Sequence, residues 1–211
     1  MSQPDTKQRI LDAAEHHFAR DGYHGTSLRT ITAEAGANLA AVNYHFGSKQ
    51  SLLEAVIERR LSPLNKIRLG RLESLLLMAE QASEVPSCRE ILRTFIEPTL
   101  HLRRQGSDTE DYIALIGRIL AEPRGVAMTI FMRQMAPLMN RLFQALELSL
   151  SEMSRQTLFW RLHFVIGSLS HIMRCHERYA MVPEDVDIDM PVDNLVELFL
   201  DFASAGMEAT K

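Results

Sequence analysis

Apolar residues recur at every third or fourth position along almost the whole chain, which is the spacing of one face of an α-helix. Runs of alternating apolar and polar residues between turn residues, which are typical of strands, are missing from the sequence. The pattern therefore predicts an all-α fold, with short helices near the N-terminus and longer helices in the remainder.

The first two predicted helices are short and have one apolar face each. One begins near Thr6 and stops at Gly22, since glycine can adopt the left-handed conformation that ends a helix. The other follows Thr26 and Ser27, whose hydroxyl groups can cap the free amides of a helix N-terminus. It ends at Gly36, which supplies a tight turn.

A third short helix, residues 39–46, is predicted to follow Asn38 as its N-terminal cap. Helical spacing turns Val42 and Phe46 toward the first two helices. The residues left nearer the open side are Leu39, Ala40, Asn43 and Tyr44. The three helices form a predicted three-helix head within residues 1–50.

The remainder, residues 63–211, is predicted to form a larger helical body. Ser48 can cap a fourth helix, residues 49–62, which links head and body and stops near Pro63. Prolines, glycines and an acidic stretch separate further helices. These are predicted at residues 64–83, 89–103, 108–121, 126–150, 155–180 and 192–207.

The charge balance limits the kind of partner that the chain can bind. Its 211 residues carry a formal net charge of -4 and a calculated pI near 6.1, which argues against a general polyanion binder. Any contact with nucleic acid must be local. No apolar run resembles a signal-peptide core or a membrane span, so we expect a cytoplasmic protein without membrane contact.

Neither metal chemistry nor catalysis is indicated by the sequence. Cys88 and Cys175 are far apart and predict no disulfide framework or thiolate zinc cluster. His171 and Cys175 have a spacing that can hold zinc, but two ligands without a third are weak support. Motifs of nucleophilic, zinc-dependent or phosphate-binding active sites are missing. We expect no metal, no cofactor and no enzymatic activity.

The head has the arrangement of a helix-turn-helix, in which the second helix of the pair enters the major groove of DNA. Free amides at the start of the helix beside Thr26 and Ser27 form a positive dipole end that can hold a phosphate, and Lys49 begins a similar helix. Tyr44 and His45 add hydrogen-bond donors. Such contacts would fix the register on DNA without reading its sequence.

The end of the head resembles the signature of the TetR family of bacterial transcription regulators. The residues in step with that signature are Ile31, Ala35, Gly36, His45, Phe46, Ser48 and Lys49. The resemblance covers residues 5–58 closely, and the remainder resembles only a divergent helical ligand domain. It implies a helix-turn-helix DNA-binding domain in residues 1–50 and a ligand-binding and dimerisation domain in residues 63–211.

The resemblance also implies how bases would be read. Arg29 could reach a guanine edge, for which its forked guanidinium group is suited. Asn43 stands where the family usually has a tyrosine that touches the DNA backbone, and Tyr44 could share that role. Asn43 would then contact adenine or phosphate, and Ala40 or Ala41 a thymine methyl group. The predicted DNA-binding set is Thr26, Ser27, Arg29, Asn38, Leu39, Ala40, Ala41, Asn43, Tyr44, His45 and Lys49.

Charge counting in the head favours a dimer. Residues 1–50 contain five basic and five acidic side chains, so one head should bind DNA weakly and two heads would be needed on one duplex. In the TetR family the last two long helices form the interface between subunits. The resemblance therefore implies a homodimer through the helices at 155–180 and 192–207, whereas a core within one subunit is the alternative use of their apolar faces.

The resemblance further implies a small-molecule site in the body. Residues 158–164 resemble the matching helix of pseudomonad regulators that respond to long-chain fatty acids. Arg118, Arg133 and His163 are candidates to hold a carboxylate, although surface exposure or a core position explains them more simply. Methionines could line an adaptable pocket, or pack in the core. The predicted ligand-binding set is Arg118, Met128, Phe131, Met132, Arg133, Met135, Trp160, His163 and Phe164.

Together these features predict a ligand-responsive transcriptional regulator. The function implied is a dimeric repressor that a small apolar effector, such as a fatty acid or an acyl thioester, releases from a palindromic double-stranded DNA operator. The alternative is a helical protein-interaction module whose head binds another protein instead of DNA.

Overall fold

The computed structural model describes residues 5–102, 107–122, 124–174, 185 and 188–209. Regular structure in these ranges is helical without strands, so the predicted all-α fold is confirmed. None of the described helices is long and apolar enough to cross a membrane. The helices are α1 (Thr6–Gly25), α2 (Leu28–Glu34), α3 (Leu39–Phe46), α4 (Lys49–Ala82), α5 (Cys88–His101), α6 (Ser107–Ala121), α7 (Val126–Ser149), α8 (Arg155–Arg174) and α9 (Val192–Glu208).

The chain divides into two compact units. The first comprises Met1–Pro63 and Gly106–Met135, and the second comprises Leu64–Gln105 and Ala136–Lys211. Two of the three boundaries fall inside α4 and α7. α6 belongs with the head helices because it packs along α1. The predicted domains at residues 1–50 and 63–211 are defined by what each would bind, whereas these units are defined by packing. The division by function stays a prediction.

Apolar side chains from α1 to α4 form the core of the first unit. Ile10, Phe18, Ile31, Val42 and Leu52 are fully shielded from solvent. Burial of each such side chain contributes about 1.5–3 kcal/mol. Because isolated helices as short as α2 and α3 are barely stable in water, this shared core is what holds them in place.

α1 continues past its predicted end at Gly22, but not as one regular helix. Gly22 has φ 74° and ψ 175°, and the helix resumes for a short stretch to Gly25. The kink interrupts the hydrogen bonds between successive turns of α1. Arg118 of α6 donates hydrogen bonds to carbonyl oxygens at this point. Its Nε lies 3.2 Å from the carbonyl oxygen of Ala19, and its Nη2 lies 2.6 Å from that of Arg20. The predicted stop is therefore a kink stabilised from another helix.

The fourth helix does not end at Pro63. The helices predicted at residues 49–62 and 64–83 are a single helix, α4, with this proline inside it. The predicted break was wrong, because a proline removes one backbone hydrogen bond and Pro63 lies on the exposed side of the helix. The apolar or buried stripe continues through it at Ile57, Leu61, Leu64, Arg68 and Leu72.

In the second unit α5 packs along α9, and α8 also contacts α9. Glu197 of α9 receives a hydrogen bond of 2.5 Å from Nη1 of Arg93 and one of 2.8 Å from Nη2 of Arg89. The bond from Arg93, aided by Arg89, lowers the pKa of Glu197 to about 2. Exposed ion pairs contribute little stability. The main effect of the two pairs with Glu197 is therefore to set how α9 lies against α5.

The residues of the candidate zinc pair are only partly described. His171 is exposed near the end of α8, whereas Cys175 and the rest of the predicted helix to residue 180 lie outside the described residues. Among the side chains that are described, no group of three or more His, Cys, Asp or Glu is arranged to hold a metal ion. Cys88 is buried, and burial raises the pKa of its thiol to about 12.

Candidate nucleic-acid interface

The helix starts on both sides of the turn are capped by the residues that the sequence indicates. Oγ of Ser27 accepts a hydrogen bond of 3.1 Å from the amide of Thr30, and Oδ1 of Asn38 accepts one of 2.9 Å from the amide of Ala41. Both predicted caps are confirmed. They fix where α2 and α3 begin, and therefore which residues face outward at the turn.

Thr26 has a different role from the capping role predicted for it. Its side chain is buried, and its hydroxyl lies 2.7 Å from the carbonyl oxygen of Gly22 and 3.0 Å from that of His17. The hydroxyl thus donates into the end of α1 and does not cap α2, because the kink leaves acceptors on that side. Contact between Thr26 and DNA stays a prediction.

α3 presents an open face beyond the turn. Tyr44 is 86 % exposed and Leu39 is 41 % exposed. Ala40 and Asn43 are also exposed, whereas Val42 is fully buried among the head helices. The predicted orientation of α3 is confirmed, and the DNA contacts assigned to its residues stay predictions.

Lys49, at the start of α4, is held by the aromatic ring of Tyr23, which no sequence motif indicates. Its Nζ lies 4.6 Å from the ring centroid of Tyr23, a cation–π arrangement. Partial burial lowers the pKa of Lys49. Ser48 caps the same helix, with its Oγ 3.0 Å from the amide nitrogen of Ser51. The ammonium group is therefore held in position at the helix start.

Glu15 is a buried carboxylate of the head, with only 3 % of its surface exposed. It accepts hydrogen bonds from Arg59 and, at 3.1 Å, from Nε of Arg60, both on α4. Arg59 also donates to Asp12, one turn earlier on α1, at 2.5 Å. These four residues form the α1–α4 ion cluster, which holds the first helix against the fourth.

Two further acidic residues of the head are held by basic partners. Asp21 accepts hydrogen bonds of 3.0 and 2.9 Å from Arg20, and these lower the pKa of Asp21. Oε2 of Glu34 lies 2.8 Å from Nε2 of the buried His17. The two atoms are close, but the contact does not have the alignment of a good hydrogen bond. Both contacts place negative charge against partners inside the head.

This pairing leaves a set of uncovered cations in the head. Within the described residues, no carboxylate pairs with Lys7, Arg9, Arg29 or Lys49, whereas three of the five head acids are paired with arginines. Paired charges largely cancel at a distance, and uncovered ones do not. The equal count of acids and bases in residues 1–50 therefore understates the local attraction of the head for phosphate.

The two arginines predicted to hold a ligand carboxylate have partners within the first unit. Arg118 donates to carbonyl oxygens of α1, and Arg133 donates to Glu54 of α4. Structural roles therefore account for both guanidinium groups, and their contact with a ligand stays a prediction. Met135 is buried, and Met132 is 53 % exposed. The remaining members of this part of the set, Met128 and Phe131, are half-buried.

The other predicted ligand-binding residues lie on an exposed surface of α8. Trp160 is 51 % exposed and Phe164 is 66 % exposed. His163 is exposed too, with its ring centroid 4.1 Å from that of Phe159. We define the α8–α9 apolar face as the exposed side chains of Phe159, Trp160, Phe164, Leu198 and Phe202. Its exposure is typical of a surface that another molecule covers.

Two family models match the chain. One, described as bacterial regulatory proteins of the tetR family, matches residues 10–56. The other, described as the tetracyclin repressor-like C-terminal domain, matches residues 93–206 and so covers more than half of the chain. The two matched ranges include the head and most of the later helices.

Curated relatives are similar over a shorter stretch. The chain is 42 % identical over 64 residues to the nicotine-responsive transcriptional repressor HdnoR of Paenarthrobacter nicotinovorans, covering 30 % of this chain and 33 % of that protein. It is 42 % identical over 62 residues to the transcriptional regulator LmrA of Bacillus subtilis, covering 28 % and 33 %. The chain thus spans about a third of the length of these relatives.

Solved structures extend the likeness to the whole fold. The fatty acid degradation regulator FadR from Bacillus halodurans superposes with a TM-score of 0.64 at 16 % identity, covering 100 % of both chains. A TetR-family member from Streptomyces coelicolor gives 0.61 at 17 % identity, covering 99 % of this chain and 96 % of that one. The helix-turn-helix geometry and the two family matches agree, and the chain belongs to the TetR family of bacterial transcriptional regulators.

Proposed function

We propose that this chain is a cytoplasmic, homodimeric repressor that binds a double-stranded DNA operator and responds to a small-molecule effector. The observation that supports this most is the open face of α3 in a head whose cations Lys7, Arg9, Arg29 and Lys49 have no acidic partners among the described residues. Exposed hydrogen-bonding groups can contact the base edges in a DNA groove, and cations without acidic partners can bind the phosphates beside it. Neither the family match nor this charge distribution favours the alternative of a protein-interaction module.

The α8–α9 apolar face supports the homodimer. Trp160, Phe164, Leu198 and Phe202 are each more than half exposed in the protomer, and a second copy would remove them from water. A two-fold dimer places two identical heads on one duplex, which is why the operator should be palindromic. This assignment uses Trp160 and Phe164 as interface residues in preference to pocket residues.

The effector is proposed to be a small apolar molecule such as a fatty acid or an acyl thioester. The proposed site lies on α7 at Met128, Phe131 and Met135, which are half-buried or buried and whose apolar side chains suit such a ligand. Release requires that the effector bind more tightly to one spacing of the heads than to another.

A melting screen against fatty acids and acyl thioesters tests the effector. It identifies the compounds that stabilise the protein, and operator affinity unchanged by all of them would remove effector control from the proposal.

Selection from fragmented genomic DNA of the source organism tests operator binding. We expect the purified protein to enrich a few fragments that contain inverted repeats, with half-sites separated by about one helical turn or a multiple of it. Random duplex of the same length serves as the competitor at moderate salt. Enrichment no better than that of the random duplex would contradict the operator-binding function.

Substitutions of Arg29 and Lys49 should affect DNA binding differently. Arg29→Ala is expected to relax the preference at one guanine position, at a cost of about 1–3 kcal/mol, because it removes a base contact. Lys49→Ala should weaken binding to all sequences alike, because it removes a phosphate contact. Fluorescence anisotropy on the selected duplex and its single-base variants measures both, with the exposed Lys66→Ala as control. Equal losses of selectivity in the two variants would contradict the assigned roles.

A further inference from the structure

Arg9 lies at the turn of the helix-turn-helix, although it belongs to α1. Its Nη1 is 3.6 Å from the position that a Cβ on Gly36 would occupy. Gly36 has φ 56°, and the chain that follows it leads into Asn38 and the exposed start of α3. The guanidinium group of Arg9 is therefore next to the segment that would enter a DNA groove.

The side chain of Arg9 is anchored while its charge stays uncovered. Nη2 donates to Oγ1 of Thr6 at 3.3 Å, and Nε is buried without an acceptor among the described residues. No acidic side chain in the described ranges pairs with it, in contrast to Arg20 on the same helix, which binds Asp21. An anchored arginine has already lost part of its conformational entropy, so a new contact costs less to form.

A purely structural role uses only part of this arrangement. The C-terminal end of α2 lies at the same turn, and a positive charge there is favourable for the negative end of a helix dipole. That role employs the charge of Arg9 but gives no hydrogen-bond partner among the described residues to Nη1, the nitrogen beside Gly36. A phosphate would satisfy both, because its oxygens accept charge-assisted hydrogen bonds from a guanidinium group, often two at once.

We propose that Arg9 binds a DNA backbone phosphate beside the groove that α3 enters. The proposal rests on the DNA-binding function proposed above, and it adds a residue outside the motif and outside the predicted DNA-binding set. The contact would be independent of sequence. Although Arg9 belongs to α1, this contact would fix how far the N-terminus of α3 enters the groove.

The salt dependence of DNA binding tests this role. Arg9→Gln is expected to reduce the slope of log affinity against log salt concentration by about 1 for each head, equally on a duplex selected by the wild-type protein and on random duplex. Arg9→Lys, which keeps the charge, should retain most of the slope. Lys66→Gln removes one positive charge from an exposed site on the later part of α4, and it should leave the slope unchanged.

A different result would assign Arg9 to the turn alone. A lower melting temperature for Arg9→Gln with an unchanged salt slope would overturn the proposal. If this variant does not fold, Arg9→Met, which keeps the apolar stem, is measured in the same way. Failure of the wild-type protein to bind either duplex would contradict the operator-binding function itself, and so is distinct from an unchanged slope in the variant.

Discussion

Replacement of Phe202 by glutamate is expected to convert a dimer into monomers and to lower operator affinity by at least about 100-fold. The side chain is 63 % exposed in the protomer, so the substitution should leave each subunit folded. In a dimer built on the α8–α9 apolar face it would bury two unpaired charges. Light scattering after size-exclusion chromatography measures the mass, and anisotropy on the selected duplex measures the affinity.

Controls on other exposed apolar residues separate this effect from a general loss of apolar surface. Leu77→Glu changes a side chain of α4 that is 55 % exposed and lies outside the α8–α9 apolar face, so dimer mass and operator affinity should persist. Phe164→Glu, within the face, should behave like Phe202→Glu. Dimers that remain intact in both phenylalanine variants would place the subunit interface elsewhere.

Removal of the Glu15 carboxylate is expected to destabilise the protein by about 3 kcal/mol. Glu15→Ala leaves the guanidinium groups of Arg59 and Arg60 without the buried partner that both share. Loss of the buried carboxylate of this cluster is more costly than loss of an exposed pair, for which about 0–1 kcal/mol is usual. Thermal unfolding followed by circular dichroism should show a melting temperature lower by roughly 10 °C.

A glutamate on α4, the helix that carries the two arginines of the cluster, provides the matched control. Glu58 is exposed, and Glu58→Ala should change the melting temperature by no more than about 2 °C. Wild-type melting behaviour in Glu15→Ala would show that the α1–α4 ion cluster contributes little to stability. Because the cluster joins α1 to α4 and contains no residue of α3, operator affinity of folded Glu15→Ala should be close to that of the wild type.

Local rules account for what could be predicted from the sequence. Ser27, Asn38 and Ser48 cap helices because each bonds an amide only three residues later, a relation visible in any window of the chain. The exposure of Tyr44 and the burial of Val42 follow from helical periodicity in the same way. Fold class, head helices and the open face of α3 therefore follow from relations between residues that are close in sequence.

Contacts between distant residues account for what could not be predicted. Glu15 and Arg59 are 44 positions apart, and no periodicity links them. Thr26 carries the residue type of a cap, yet its hydroxyl is drawn to acceptors that the kink at Gly22 leaves open. Trp160 has the same helical spacing whether it faces a pocket or solvent, so the sequence could not separate a ligand-binding role from an interface role.

The α1–α4 ion cluster and the Arg20–Asp21 pair also affect how the protein would find its site in a genome. A chain with a net charge of -4 would have little long-range attraction for arbitrary DNA, since non-specific binding depends on phosphate attraction. Because the paired carboxylates of the head are neutralised by internal partners, its unpaired cations can still attract DNA phosphates at short range, once the head is in a groove. Occupancy would then depend on the ratio of specific to non-specific binding, because competing sites vastly outnumber operators. Such a regulator would lose few molecules to the rest of the chromosome.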